Sequence, residues 1–234
     1  MQMALEIDLV RVNNGKYNVY VIKDDEYIGP CIANGHEWDG WMRADIEKYY
    51  KEGTDIIDIG ANIGYNTLMF SDYGPVHTFE PVYYQIVDMN VKSNTLKSNV
   101  FIYAHALSDT EYDTKMYIPE RGCQYENKIN YGGTSLNKHE TLGNQEINVN
   151  CRRLDDVYKG KPSVIKIDVE NHELQTLEGA KNTIKEHKPM ILIEIHDFEN
   201  SEIPKFMESL GYDTPEERPE AMFLYRAKDI FSTI

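Results

Sequence analysis

The chain has 234 residues, 41% hydrophobic and 27% charged, an ordinary soluble composition and a length that fits one α/β domain with a buried core. The formal net charge of −15 argues against a broad cationic face for nucleic acid or anionic lipid. No apolar run approaches the ~20 residues of a membrane span, the start MQMALEIDLVRV does not read as a signal peptide, and three scattered cysteines, Cys31, Cys123 and Cys151, predict reduced thiols in a cytoplasmic protein without zinc.

In chain order, VRVNNGKYNVYVI alternates around Asn14-Gly15 and predicts a β-hairpin. WDGWMRADIEKYYKEG predicts a helix stopped at Gly53. DIIDIG is nearly all apolar, as a parallel strand covered on both faces should be. A short helix YNTLMFSDYG, a strand VHTFEP, a helix from Val82 to Asn99 and a third strand VFIYAHAL follow. From about Glu111 to Asn150 the regularity fails, which predicts a polar insertion with a strand at each side. SVIKIDVE is a fourth strand. HELQTLEGAKNTIKEH is one helix with Leu174, Leu177 and Ile184 on a shared face, and PMILIEIH is a fifth strand. IPKFMESLG is a helix closed by Gly211, and AMFLYRA is a last strand. Alternating strands and helices predict an open, doubly wound, mostly parallel α/β sheet, with ligand at the carboxyl ends of its strands.

The turn after DIIDIG discriminates between nucleotides. A triphosphate loop needs lysine and Ser/Thr after the last glycine, but Tyr65 and Asn66 follow Gly64. A dinucleotide loop needs a middle glycine, whereas Gly60-Ala61-Asn62-Ile63-Gly64 has none. Glu80, twenty positions after Gly60, suits ribose hydroxyls in NAD and S-adenosylmethionine alike. Asp58 is expected to face a cationic amino-acid group and would repel a pyrophosphate. ALSD, ending the third strand, suits an adenine edge. The balance favours S-adenosylmethionine over NAD.

DIGANIGYNTL, FEP, Asn90-Val91 with Asn94, HALSD, GGTS, RRLDD, IKIDVENHE and ILIEIH occur in an order that resembles the FkbM family of methyltransferases, from about Trp38 to Tyr225. The resemblance implies a Rossmann-like seven-stranded sheet of the class I methyltransferases, preceded here by the hairpin and helix of residues 1–53. The core would span 54–234 as one methyltransferase domain, with the insertion at about 111–150. It further implies that Asp58, Gly60, Ala61, Asn62, Gly64 and Tyr65 line the methionine end of the donor. Glu80 and Pro81 would stand at the ribose and Ser108 beside the adenine. The family usually has glycine after KIDVE; this chain has Asn171, which tolerates left-handed backbone.

Methyl transfer to a hydroxyl needs a held nucleophile and a base or a metal. Lys166, Asp168 and Glu170 share one face of the fourth strand, and Glu194 and His196 share one face of the fifth. If the strands are neighbours, Asp168, Glu194 and His196 are the expected catalytic group, with magnesium or manganese as a candidate ion on the same three residues. The bland alternative is an ion-pair network in which Lys166 neutralises Asp58 or Glu194. His172 and the segment NYGGTSL are further candidates for acceptor contact. Trp38 and Trp41 are candidates for a sugar-pocket wall, with helix packing the ordinary expectation.

The expected activity is S-adenosylmethionine-dependent O-methylation of a sugar hydroxyl in a saccharide or glycan. Alternatives are a natural-product or phenolic acceptor, an NAD-dependent oxidoreductase, and a noncatalytic donor-binding partner. No nucleic-acid partner is expected; association with a glycosyltransferase or a homodimer is open.

Overall fold

A computed structural model of the chain describes residues 7–125 and 127–228, so the first half of the N-terminal segment read against a signal peptide lies outside the described residues. β1 (Leu9–Asn13) and β2 (Asn18–Ile22) form the expected hairpin, with Gly15 at φ 92° in its turn. α1 (Ile28–Ala33) and α2 (Met42–Tyr49) follow, and Gly53 at φ 79° ends the approach to β3 (Asp55–Ile59). Then come α3 (Tyr65–Phe70), β4 (Val76–Phe79), α4 (Tyr84–Lys92) and β5 (Val100–Tyr103).

The predicted third strand divides. After β5 the chain leaves the main sheet, and β6 (Ala106–Leu107) joins a three-stranded sheet with β7 (Tyr112–Ile118) and β8 (Gln145–Arg152). β7 and β8 pair antiparallel over seven positions, so the flanks of the insertion brace each other.

The remaining elements are α5 (Leu154–Val157), β9 (Pro162–Ile167), α6 (Glu173–Gly179), α7 (Lys181–His187), β10 (Met190–Glu194), α8 (Ile203–Ser209), β11 (Glu216–Glu217) and β12 (Met222–Tyr225). The single helix expected over 172–187 is two. The Asp155 carboxylate accepts the backbone N–H of Asn182 and Thr183 at 3.0 and 2.9 Å and so caps a new helix start from outside the segment. Leu177 and Ile184 are both fully buried in the same cluster despite the break.

The main sheet has seven strands in the order β11-β12-β10-β9-β3-β4-β5. β10, β9, β3, β4 and β5 run parallel, and β12 is antiparallel to β10. Alternation along the central strands splits their apolar residues between two layers. Ile57, Ile165 and Ile191 pack with Leu177, Ile184 and Met207. Ile56, Val164 and Leu192 pack with Met42, Ile46 and Phe70 on the other side. Burial on both faces explains why these strands read as unbroken apolar runs. Each buried Leu or Ile side chain contributes about 2 kcal/mol.

The hairpin is fastened by two asparagines one helical turn apart. Asn90 accepts the Tyr20 N–H at 2.6 Å and donates to the carbonyls of Tyr20 and Ile63 at 3.2 and 2.7 Å. Asn94 accepts the Asn18 N–H at 2.9 Å and donates to the Asn18 carbonyl at 2.8 Å. Side-chain amides thus satisfy the free edge of β2, and Asn90 ties that edge to the turn after β3. Among the described residues, no helix is long and apolar enough to cross a membrane.

Candidate active site

The β3–α3 turn is held by left-handed backbone at Gly60, Asn62 and Gly64 (φ 77°, 52° and 83°). A Cβ at Gly60 would stand 1.7 Å from the Asp168 carbonyl oxygen, so the loop passes directly over the end of β9. At Gly64 a Cβ would approach the Val87 side chain to 2.9 Å.

Beneath the loop lies a buried charged group. The Lys166 ammonium, 2% exposed, donates to the Gly60 carbonyl at 2.8 Å and stands 3.1 Å from Asp168 and 3.9 Å from Asp58. Burial opposes the charge on Lys166, but Asp168 and Asp58 outweigh it and push its pKa up. Asp58 is fully buried and accepts the Thr67 hydroxyl at 2.6 Å. It therefore sits behind the loop, facing Thr67 and Lys166.

Glu80, at the end of β4, is buried. Its Oε2 accepts the Asn62 N–H at 2.8 Å, and its Oε1 accepts the N–H groups of Val82 and Tyr83 at 2.8 and 3.0 Å. Burial nonetheless outweighs these bonds and pushes Glu80 up to about 7.

A cavity of about 300 Å³ opens over the loop. Of the residues expected to hold the donor, Gly60, Ala61, Asn62, Tyr65, Glu80 and Pro81 line it. Asp58, Gly64 and Ser108 are not among the described lining residues. Ser108 is fully buried, and its hydroxyl bonds His172 Nε2 at 2.9 Å; His105, Ala106 and Leu107 line the wall beside it. His172 also lines the cavity, its pKa pushed down by burial.

β9 and β10 are neighbours in parallel register, Ile167 opposite Ile193, so their carboxyl ends meet as the side-chain alternation required. Asp168 and Glu194 line the cavity. His196 is exposed and is not among the described lining residues; its Nε2 lies 3.2 Å from Glu194 and 3.6 Å from Glu170. The neighbouring carboxylates of Glu170 and then Glu194 push His196 up to about 10. Burial raises Glu194 to about 7, against the pull of His196. Among the described residues, the cluster with metal-ligand spacing is Glu170, Glu194 and His196; Asp168 turns to Lys166 instead.

Glu170 and Asn171 are both left-handed, at φ 55° and 70°, so the turn keeps a glycine-like shape without glycine. The insertion closes over it. Ser135 donates to the Glu170 carbonyl at 2.6 Å, Asn137 to the Asn171 carbonyl at 3.3 Å, and the Tyr131 carbonyl accepts from Asn62 at 3.2 Å. NYGGTSL thus bridges the glycine loop and the end of β9. Trp38 lines the cavity, whereas Trp41 packs against the core. Asp39, Asn66 and Glu220 also line it, and sequence patterns alone offered no signal for them.

The strand order, with one antiparallel strand beside β10, and the cavity at the carboxyl ends of the parallel strands define a Rossmann-like methyltransferase fold. A family model described as the methyltransferase FkbM domain matches residues 58–214, and the chain belongs to this family. A curated relative, the hexuronic acid methyltransferase AglP of Haloferax volcanii, is 26% identical over 146 residues, which is 62% of this chain and 57% of AglP. The matched stretch thus spans a little over half of that relative. Among solved structures, methyltransferase FkbM from Methylobacillus flagellatus KT is similar with a TM-score of 0.49 and 20% identity, over 74% of this chain and 43% of that one. Trm5b from Pyrococcus abyssi gives a TM-score of 0.50 at 9% identity, over 94% and 56%; that likeness is one of fold alone.

Proposed function

We propose that this protein is an S-adenosylmethionine-dependent O-methyltransferase acting on a sugar hydroxyl in a saccharide or glycan. The observation that carries the reading is one cavity joining the glycine loop and Glu80 to the carboxylates of Asp168 and Glu194. The hexuronic acid named for AglP supports a sugar acceptor. We further propose that residues 54–234 form one methyltransferase domain carrying the insertion, and that the 1–53 extension completes the cavity through Trp38 and Asp39. Three free thiols fit a cytoplasmic setting.

The lining suits a sulfonium donor. Its one lysine among the described residues, Lys166, is already engaged by Gly60 and Asp168. The carboxyl-rich wall would repel a pyrophosphate, which weighs against NAD. When bound, S-adenosylmethionine supplies an electrophilic methyl group. Glu80 Oε2 keeps acceptor capacity for a ribose hydroxyl, and Ala106 with Leu107 gives apolar surface for a base. Asp168 and Glu194 are the groups that take the acceptor proton. His196 is held protonated by its two glutamates, so it steadies Glu194 and is not the base. Lys166 fixes Asp168 from below.

The test is transfer of labelled methyl groups to a panel of saccharides and phenols. Incorporation into phenols and no saccharide would sink the sugar reading.

A second reading adds magnesium or manganese at Glu170, Glu194 and His196, whose ligand atoms all lie within 4.8 Å of one another. Activity lost on chelation and restored by manganese supports it; activity indifferent to chelator removes it.

A further inference from the structure

Three unfavourable features meet on the cavity wall away from Glu80. Asp39, Glu220 and Ala221 have left-handed backbone at φ 51°, 60° and 55° without being glycine, a conformation that costs about 1 kcal/mol or more each. The Asp39 and Glu220 carboxyl groups, from distant parts of the chain, line the same cavity, where like charges oppose each other. Asn66, 6% exposed, donates Nδ2 to Asp39 Oδ2 at 2.8 Å, and its buried Oδ1 has no partner. A buried amide oxygen left open is unfavourable by about 1–3 kcal/mol. Asp39, Asn66 and Glu220 line the cavity, and Trp38 lines it beside them.

We propose that Asp39, Asn66 and Glu220 form a subsite that binds two hydroxyl groups of a neutral sugar acceptor, an inference that rests on the saccharide reading above. A hydroxyl both donates and accepts. It can therefore satisfy the open Asn66 oxygen and the carboxyl oxygens of Asp39 and Glu220, while the Trp38 ring offers an apolar face to the sugar. A carboxylate would enter against Asp39, Asp168, Glu194 and Glu220, with Lys166 already engaged. The neighbouring Asp39 carboxyl, and then burial, push Glu220 up to about 7. Asp39 and Glu220 lie outside the stretch matched by the family model. They come from the turn before α2 and the turn between β11 and β12, and meet only in the folded chain.

The experiment compares the methyl glycosides of glucose, glucosamine and glucuronic acid as acceptors for the native chain, Glu220→Gln and Asp39→Asn. Binding of S-adenosylhomocysteine and the melting temperature are measured in parallel. The expected result is transfer to the glucoside, with KM raised about tenfold or more in either variant and S-adenosylhomocysteine affinity within about twofold of native. The glucuronide should show kcat/KM at least about tenfold below the glucoside. An unchanged KM in both variants overturns the proposal, as does preference for the glucuronide or the glucosaminide. Loss of S-adenosylhomocysteine affinity in folded variants assigns the cluster to the donor and also overturns it. Transfer to no saccharide by the native chain would instead bring down the saccharide reading itself.

Discussion

The Lys166 ammonium reaches from the carboxyl end of β9 to the Gly60 carbonyl, 2.8 Å away. One buried side chain therefore fastens the glycine loop to the strand that delivers Asp168, and it compensates the buried Asp58 on the way. Donor loop and strand-end carboxylate are held as one rigid unit, which is what positioning for methyl transfer demands.

Removing that ammonium is expected to be severe. Lys166→Met leaves Asp58 and Asp168 without a cation in the interior and should destabilise the protein by about 3–5 kcal/mol, read from urea unfolding. Adding Asp58→Asn to the same chain should recover part of the loss, because the uncompensated charge is then gone. No recovery would mean that Lys166 acts mainly through Gly60.

Gly60→Ala places a methyl group where the Asp168 carbonyl already is, at a φ that only glycine adopts freely. Donor-product affinity is expected to fall by at least about tenfold, with more than about 2 kcal/mol of stability lost. Gly64→Ala should be milder, since its Cβ meets the Val87 methyl groups at 2.9 and 3.2 Å and the Val87 Cα at 3.3 Å, where that of Gly60 meets a carbonyl oxygen at 1.7 Å. Calorimetric titration with S-adenosylhomocysteine ranks the two; equal effects would contradict the backbone clash as the cause.

Asp168→Asn keeps the shape of the strand end but removes the carboxylate from the cavity wall. Methyl transfer should fall by about a hundredfold or more, with S-adenosylhomocysteine binding retained. Glu194→Gln should produce a comparable loss if the two carboxylates share the proton. Turnover near native in both variants would end their assignment as bases.

Glu80 links the site to pH. Its ordinary value is 4.5, and in the folded chain burial raises it to about 7. A carboxyl raised on folding contributes stability that is whole below about pH 4.5 and is lost as pH rises through about 7. The loss at the upper end is on the order of 3 kcal/mol. Glu80→Gln, which cannot ionise, should flatten this part of the profile in thermal melts between pH 4.5 and 7.5. A profile as steep as native in that variant would show that other groups set it.

Local patterns revealed much of the donor half because its demands are local. Glycines at 60 and 64 read as a turn for steric reasons, and the position of Glu80 is set by counting along two adjacent strands. The double break of the third strand and of the 172–187 helix escaped those patterns. In one case β8 captures Ala106 and Leu107 through a separate sheet. In the other, Asp155 caps a helix start that its own sequence does not announce. Asp58 was expected toward the ligand, yet Thr67 and Lys166 turn it inward; only packing of α3 and β9 around it decides that direction.

By itself, the sequence determined the alternation of strands and helices, the loop type and the likeness to FkbM methyltransferases, because these rest on periodicity and on residues close in the chain. The tertiary structure alone decided which charges meet. It set Glu170, not Asp168, at metal-ligand spacing from Glu194 and His196, and it brought Asp39 and Glu220 to one cavity from distant parts of the chain. Such meetings depend on the register of β9 against β10 and on where two surface turns come to rest, relationships that no stretch of contiguous sequence contains.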